Sequence, residues 1–198
     1  MSRLSAGLKI CLPFAALTLA ACATAPVKKD AGAPFSAPTL DLCPGTSISN
    51  APAASSTRRI IGYHPFTLVR GVTLSRAPVN ACVSSAFGPR SGGAGSFHDG
   101  IDLYTRTPST VYAGGAGRIR FVGTQRGYGL TIEIAHKNGV VTRYAHLSAA
   151  APGLRAGAAV GAGQVIGKTG RSGNATAVHL HYEILTDGRP NDPLRIGD

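Results

Sequence analysis

The sequence predicts an all-β domain made of short antiparallel strands. The chain of 198 residues contains 26 glycines and 13 prolines, a composition that favours frequent turns over long helices. From Ile60 onward, apolar runs appear between turn residues, which is typical of strands. No segment of the sequence shows sustained helical periodicity. The length suffices for one ordinary domain with appendages.

Seven of these apolar runs are predicted strands. The dipeptide Asn138-Gly139 stands between two of them and is a strong signal for a two-residue hairpin. The predicted strands are Ala81–Phe87, Thr110–Ala113, Arg118–Val122, Leu130–Ala135, Val140–His146, Gln164–Ile166 and Val178–Leu185.

The first residues predict export from the cytoplasm. Arg3 and Lys9 precede a short apolar stretch, Ile10–Ala21, which is too short to span a membrane and is typical of a secretory signal. The run Leu19-Ala20-Ala21-Cys22 resembles a bacterial lipobox, in which Cys22 would be lipidated and become the first mature residue. The alternative is an ordinary cleavage site with an incidental cysteine.

Composition divides the chain into four parts. Residues 1–21 are the predicted lipoprotein signal peptide. Residues 22–57 are rich in Ala, Pro and Ser with few large apolar side chains, so we expect a disordered, flexible tether. Residues 58–79 form a lead-in segment, in which Tyr63 and His64 are candidates to cap a cleft and inhibit it. Residues 80–198 are the predicted folded domain.

Two cysteines are left for the mature, exported chain. Cys11 lies in the signal peptide and Cys22 in the lipobox, which leaves Cys43 and Cys82. In an oxidising compartment these two are candidates for one disulfide. Two unpaired thiols are the alternative.

The charge of the chain is strongly positive. Twenty basic and nine acidic residues give a formal net charge of +11. A basic surface attracts polyanions in general, so nucleic acid, anionic lipid and anionic wall polymer all fit. Charge alone does not choose among them.

Two clusters of metal-ligand residue types predict a zinc site. His179 and His181 alternate in a predicted strand, so their imidazoles leave the same face. His98 and Asp102 would lie roughly 13 Å apart in an extended strand. We therefore place His98 on a loop and Asp102 at the start of a strand. The chain is expected to bend between them at Gly100. His98, Asp102 and one of the two imidazoles give three protein ligands, as in catalytic zinc sites.

A further histidine ends a predicted strand. His146 follows Tyr144 on the same face by strand parity, and an imidazole beside a metal site can hold a water or donate to an oxyanion. His64 and His136 are interpreted as surface residues.

Three motifs resemble one family. His98-Asp99-Gly100-Ile101-Asp102, Tyr144-Ala145-His146-Leu147 and His179-Leu180-His181-Tyr182-Glu183 are similar, in this order, to the motifs of lysostaphin-type (LytM-type) zinc metallopeptidases. Weaker similarity extends the resemblance over about residues 80–194. It implies a single β domain of the sandwich or barrel-sandwich type.

The resemblance implies a role for each matched residue. His98, Asp102 and His181 would bind Zn²⁺, and His146 and His179 would be the catalytic pair beside it. The implied reaction is hydrolysis of a peptide amide bond in bacterial peptidoglycan, the substrate of such family members. Glu183 shares the face of the two histidines, where it either orients a ligand histidine or is a surface residue.

The resemblance also implies a rival and a location. Some relatives have lost metal ligands and serve as non-catalytic, peptidoglycan-binding activators of another wall hydrolase, but all five positions are filled here, which favours an enzyme. We expect a monomer that binds no nucleic acid, lipid-anchored on the periplasmic side of the cell envelope. Ala23 after the cysteine favours the outer membrane. The bond cleaved stays open.

Overall fold

The computed structural model describes residues 33–90 and 96–197. The predicted signal peptide, the lipidation site Cys22 and the first part of the predicted tether lie outside the described residues.

The predicted all-β fold is confirmed. The described ranges contain strands and turns and no α-helix, and none of their segments is a helix long and apolar enough to cross a bilayer. The strands are β1 (Phe66–Val69), β2 (Val72–Ser75), β3 (Cys82–Ser85), β4 (Gly88–Pro89), β5 (Phe97–His98), β6 (Ile101–Tyr104), β7 (Thr110–Tyr112), β8 (Gly117–Gln125), β9 (Gly129–Ala135), β10 (Val140–Leu147), β11 (Ala149–Ala150), β12 (Ala159–Val160), β13 (Val165–Lys168), β14 (His179–Thr186) and β15 (Arg189–Asn191).

One large sheet carries the site. Its order is β12-β8-β9-β10-β14-β6-β3, with β15 paired to one end of β14. All of these pairings are antiparallel. β14 therefore lies between β10 and β6, where its backbone is paired on both sides. Smaller sheets are formed by β1-β2, β4-β5 and β11-β13-β7.

Each of the seven predicted strands overlaps an observed one. The hairpin of β1 and β2 is not among the predicted strands, and it forms in residues 58–79, which the composition predicts as a lead-in segment. Gly71, in the dipeptide Arg70-Gly71 between two short runs of β-forming residues, was the available signal; both residues have positive φ in the two-residue turn. Asn138 and Gly139 join β9 to β10 with φ of 56° and 72°, as a tight hairpin requires.

Residues 33–57 differ from the expected disordered tether. Leu40 is fully buried, and Phe35 stacks on Tyr112 with ring centroids 4.2 Å apart. Leu42 forms a parallel bridge with Val83 at the edge of the large sheet. A few apolar side chains are enough to order this segment because they pack against the edge of a sheet that is already formed. The composition of the segment alone does not reveal that edge.

Cys43 and Cys82 form a disulfide, with their Cα atoms 5.0 Å apart. It joins the residues next to Leu42 to the first residue of β3. The N-terminal segment is therefore held covalently at the sheet edge, and the alternative of two unpaired thiols does not apply to the structure.

Candidate metal centre and cleft

β14 supplies three polar side chains from the middle of the sheet. Leu180 and Tyr182 point into the core and are fully buried. The alternate residues His179, His181 and Glu183 share the opposite face, as strand parity predicts. Because β14 is paired on both sides, its side chains have little freedom to shift.

β6 brings the carboxylate to the histidines. Asp102 is directly opposite His181 in the antiparallel register. Directly opposed residues on neighbouring strands have side chains on the same face at close range. Strand pairing alone therefore joins two segments that are 79 residues apart in the chain.

His98 arrives from β5, a two-residue strand paired with β4, and not from the loop that we expected. The chain bends at Asp99-Gly100 between β5 and β6. The φ of Gly100 is not in the left-handed region, so the bend does not depend on that freedom. Glycine is needed because a Cβ would overlap the backbone carbonyl of Tyr182 on β14.

The three predicted ligand groups converge. His98 Nε2 lies 3.0 Å from His181 Nδ1 and 3.1 Å from Asp102 Oδ1, and the last two atoms are 2.9 Å apart. Tetrahedral zinc with ligands at about 2.0–2.1 Å separates neighbouring ligand atoms by about 3.3 Å. The triangle is close to one face of such a tetrahedron, so this donor set fits zinc.

In His98 and His181, the hydrogen bond of the outer ring nitrogen determines which nitrogen faces the centre of the triangle. His98 Nδ1 is 2.8 Å from the carbonyl oxygen of Ala86, which only accepts, so Nδ1 carries the proton. His181 Nε2 donates to Glu183 Oε1 at 2.9 Å. In the neutral rings, His98 Nε2 and His181 Nδ1 then direct lone pairs at each other and at Asp102, an arrangement that a cation stabilises.

The ionisable groups around the triangle also favour a positive charge at its centre. Burial would raise the pKa of Asp102, but when a proton occupies the triangle in place of a cation, an inward-facing N–H of His181 or His98 donates to the carboxylate, and these hydrogen bonds lower that pKa well below its usual value. Burial would lower the pKa of His181, but its hydrogen bonds with Asp102 and Glu183 raise it to about 9. Arg90 Nη2 lies 3.4 Å from Asp102 Oδ2, so the second carboxylate oxygen also faces a positive charge. The cluster attracts positive charge at its centre.

Glu183 is fully buried and orients His181. Its other oxygen, Oε2, accepts from Arg143 Nη1 at 2.7 Å, and Arg143 Nε donates to Glu133 Oε1 at 2.8 Å. The sequence reading missed Arg143 and Glu133. The hairpin at Asn138-Gly139 was the signal, because it sets Arg143 opposite Glu133.

A β-bulge brings His146 to the site. Tyr144 lies opposite Tyr182 and packs against it on the core side, with ring centroids 5.3 Å apart. Parity would place His146 on that side too, so the predicted shared face of Tyr144 and His146 is wrong. The pairing of β10 with β9 shifts between Tyr144 and Leu147, and His146 has φ 59°. This costly backbone conformation turns its ring toward His179, 4.8 Å away between centroids.

Backbone carbonyls fix the two remaining imidazoles. His146 Nδ1 donates to Ser172 O at 2.8 Å, and His179 Nδ1 donates to Ala177 O at 2.9 Å. Each ring therefore keeps its Nε2 lone pair available. His179 Nε2 lies 3.6 Å from Asp102 Oδ1, next to the triangle. Burial lowers the pKa of His146 to about 4, which keeps this ring neutral near pH 7.

The metal triangle and the two further imidazoles line an open cleft of about 430 Å³. Tyr128, Asp99 and Asn174 form part of its rim. Tyr63 instead donates a hydrogen bond to Ala37 O at 3.0 Å, and neither Tyr63 nor His64 is among the described residues that line the cleft. The cap predicted for the lead-in segment is not formed in this structure.

Comparisons with known proteins all point to one protein family. The sequence model of Peptidase family M23 matches residues 96–193. DD-carboxypeptidase/endopeptidase Mpg of Neisseria meningitidis is 42% identical over 99 residues, covering 50% of this chain and 22% of Mpg. Peptidoglycan DD-endopeptidase ShyA of Vibrio cholerae is 35% identical over 98 residues, covering 50% and 22%. Outer membrane antigenic lipoprotein B of Haemophilus influenzae is 31% identical over 173 residues, covering 86% and 40%. The chain thus spans well under half of each relative.

Solved structures share the fold. A zinc-containing peptidase from Vibrio cholerae superimposes with a TM-score of 0.57 at 29% identity, covering 66% of this chain and 45% of that one. The catalytic domain of lysostaphin from Staphylococcus simulans gives a TM-score of 0.53 at 30% identity, covering 58% of this chain and 90% of that domain.

Fold and site together define a lysostaphin-type domain: short antiparallel strands with a His-Asp-His triangle and two further imidazoles on one sheet face. The chain belongs to peptidase family M23.

Proposed function

We propose that this protein is a zinc-dependent endopeptidase that hydrolyses stem peptides or peptide cross-links of bacterial peptidoglycan. The observation that carries the proposal is the convergence of His98, Asp102 and His181 beside two imidazoles in an open cleft. The names of Mpg and ShyA support cleavage of a bond between D-amino acids.

His98 Nε2, Asp102 Oδ1 and His181 Nδ1 would hold the zinc. Bound zinc supplies Lewis acidity, which polarises a carbonyl and lowers the pKa of a coordinated water toward neutrality. His146 and His179 can each accept a proton at Nε2, because Nδ1 is committed to a backbone carbonyl. Once protonated, the same Nε2–H can donate to the oxygen that becomes negative as the amide carbon is attacked.

A digestion assay tests this proposal. We expect the full-length chain loaded with zinc to solubilise purified peptidoglycan, and mass spectrometry of the products to identify the bond. A chelator should abolish the activity and added zinc restore it. His181→Ala should lose both zinc and activity. His179→Ala should keep one zinc per chain and lose most activity.

Two results would contradict the enzyme. Digestion that continues without metal would remove zinc from the reaction. A wild-type chain that binds zinc stoichiometrically and digests nothing would favour the rival, a binding module that activates another wall hydrolase.

We also propose that Cys22 is lipidated and that the chain is anchored in the cell envelope facing the periplasm. The lipoprotein of Haemophilus influenzae, similar over 86% of this chain, supports an anchor and an outer-membrane position. Incorporation of a labelled fatty acid into the wild type and into Cys22→Ala tests it. Equal labelling of both would exclude this site. The end of the signal peptide at residue 21 also stays a proposal.

A further inference from the structure

A second cavity of about 770 Å³ lies beside the metal cleft. Asp102, Thr176 and His179 line both cavities, so the two are adjacent. We call the second cavity the side pocket; its further lining includes Cys43, Thr46, Asn80, Ser84, Tyr104 and Arg106.

The sheet sets the distance between the side pocket and the metal centre. Asp102 and His181 are opposed in one row, and Tyr104 and His179 are opposed in the next row on the same face. Cys82 continues the second row on β3. Rows two residues apart are separated by about 7 Å, which is the length of two residues of an extended peptide.

The outer wall of the side pocket lies outside the residues matched by the family. Cys43 and Thr46 belong to the N-terminal segment, whereas the family match begins at residue 96. The disulfide to Cys82 holds this wall, and Arg58 Nη2 donates to the carbonyl oxygens of Cys43 and Thr46 at 2.6 Å and 3.1 Å. The wall is therefore a fixed part of the side pocket.

Arg106 gives the side pocket its charge. Of the described residues that line it, Asp102 is the other one with a charged side chain, and it is engaged with His98, His181 and Arg90. Among the described residues no carboxylate pairs with Arg106. Its φ is 64°, and Thr107 N donates to Thr105 O at 2.7 Å, so a tight turn presents Arg106 at the rim.

We propose that the side pocket binds a free carboxylate of the peptide substrate, about two residues from the bond that is cleaved. Arg106 is then a specificity-determining residue, and the disulfide-held segment supplies the wall that confines the ligand. A carboxylate accepts hydrogen bonds only, which suits the guanidinium of Arg106. The hydroxyls of Thr46 and Ser84 already donate to Cys43 O and Asp102 O, so the side-chain amide of Asn80 is the second donor that lines the side pocket. This inference rests on the proposed hydrolysis of peptidoglycan peptides.

The test compares two substrates and three chains. The substrates are a purified cross-linked muropeptide dimer and the same dimer after its free carboxylates are converted to amides. The chains are the full-length wild type, Arg106→Gln, and Arg155→Gln. Arg155 is an exposed arginine before β12, at the opposite edge of the large sheet, so it controls for loss of one positive charge.

We expect Arg106→Gln to lower kcat/KM for the free dimer roughly five- to tenfold through KM, with zinc content unchanged. The wild type should lose a similar factor on the amidated dimer, and Arg106→Gln should lose nothing further. Arg155→Gln should behave as the wild type. Thr46→Trp, which fills the side pocket, should also raise KM.

Dissociation constants of the zinc-loaded chains for both dimers separate this inference from the proposed function. If the wild type cleaves nothing but binds the free dimer more tightly through Arg106, the hydrolase fails and the side pocket stands. If Arg106→Gln binds and cleaves the free dimer as the wild type does, and the wild type treats the free and amidated dimers alike, the inference is overturned and the hydrolase stands.

Discussion

At the scale of single residues, function depends on which atom of each ring carries the proton. His98, His146 and His179 donate Nδ1–H to a main-chain carbonyl, and His181 donates Nε2–H to Glu183. These partners fix ring orientation before any metal or substrate binds, so little reorganisation is needed on binding.

Glu183→Gln should weaken zinc binding roughly 10- to 100-fold. The amide still accepts from His181 Nε2 but carries no charge to raise the basicity of Nδ1. Competition with a chromophoric chelator measures the change.

Glu133→Gln is the matched control for Glu183→Gln. Glu133 also pairs with Arg143, but no hydrogen bond joins it to a described metal-site residue. It should lower stability and leave the zinc affinity near that of the wild type. Equal zinc affinities in both variants would show that Glu183 has only a structural role.

At the scale of secondary-structure elements, two irregularities make the site. The bulge in β10 moves His146 from the core face to the cleft, and the bend between β5 and β6 brings His98 over Asp102. With regular strands, His146 would face the core, and His98 would lie too far from Asp102 to share a metal ion with it.

Gly100→Ala should lower both stability and zinc affinity. The added methyl overlaps Tyr182 O and lies 2.9 Å from Glu183 Cγ, so β6 and β14 must separate slightly, at a cost of roughly 1–3 kcal/mol. Chemical denaturation and zinc titration measure the two effects.

Gly188→Ala is the control for Gly100→Ala. Its methyl meets nothing within 4 Å, although φ is 77°, so it should cost some stability through backbone strain and leave zinc affinity unchanged. If Gly100→Ala retained wild-type zinc affinity, the close approach of the two strands would not be what positions the ligands.

At the scale of the whole molecule, the N-terminal segment is part of the domain. It covers the β3 edge of the large sheet, which would otherwise offer unpaired backbone groups, and the disulfide keeps it there. A covalent closure of this kind stabilises chiefly by restricting the unfolded chain.

Replacing both Cys43 and Cys82 by serine should lower the free energy of unfolding by roughly 3–4 kcal/mol, given the sequence separation of 39 residues. Thermal unfolding in the presence of zinc measures the change. Zinc stoichiometry should stay at one per chain, because neither cysteine touches the triangle. An unchanged unfolding temperature would mean that the packing of Leu40 and its neighbours alone holds the segment.

Much of the fold and of the metal site could be predicted from the sequence, because strand alternation and turn residues are local signals. Alternation along Val178–Leu185 placed His179, His181 and Glu183 on one face, and turn residues located most strands of the large sheet. The tether prediction failed for residues 33–57 because composition measures what a segment can bury by itself and not what a neighbouring edge can receive.

The sequence by itself determined the all-β class, the two-faced strand β14 and the residue types of a zinc site. Only the tertiary structure decided that His146 faces the cleft, that Glu183 is held between His181 and Arg143, and that the segment around Cys43 lines the side pocket. Strand periodicity is a property of the local backbone, whereas bulges, cross-strand register and edge coverage are settled by which chain segments pack together.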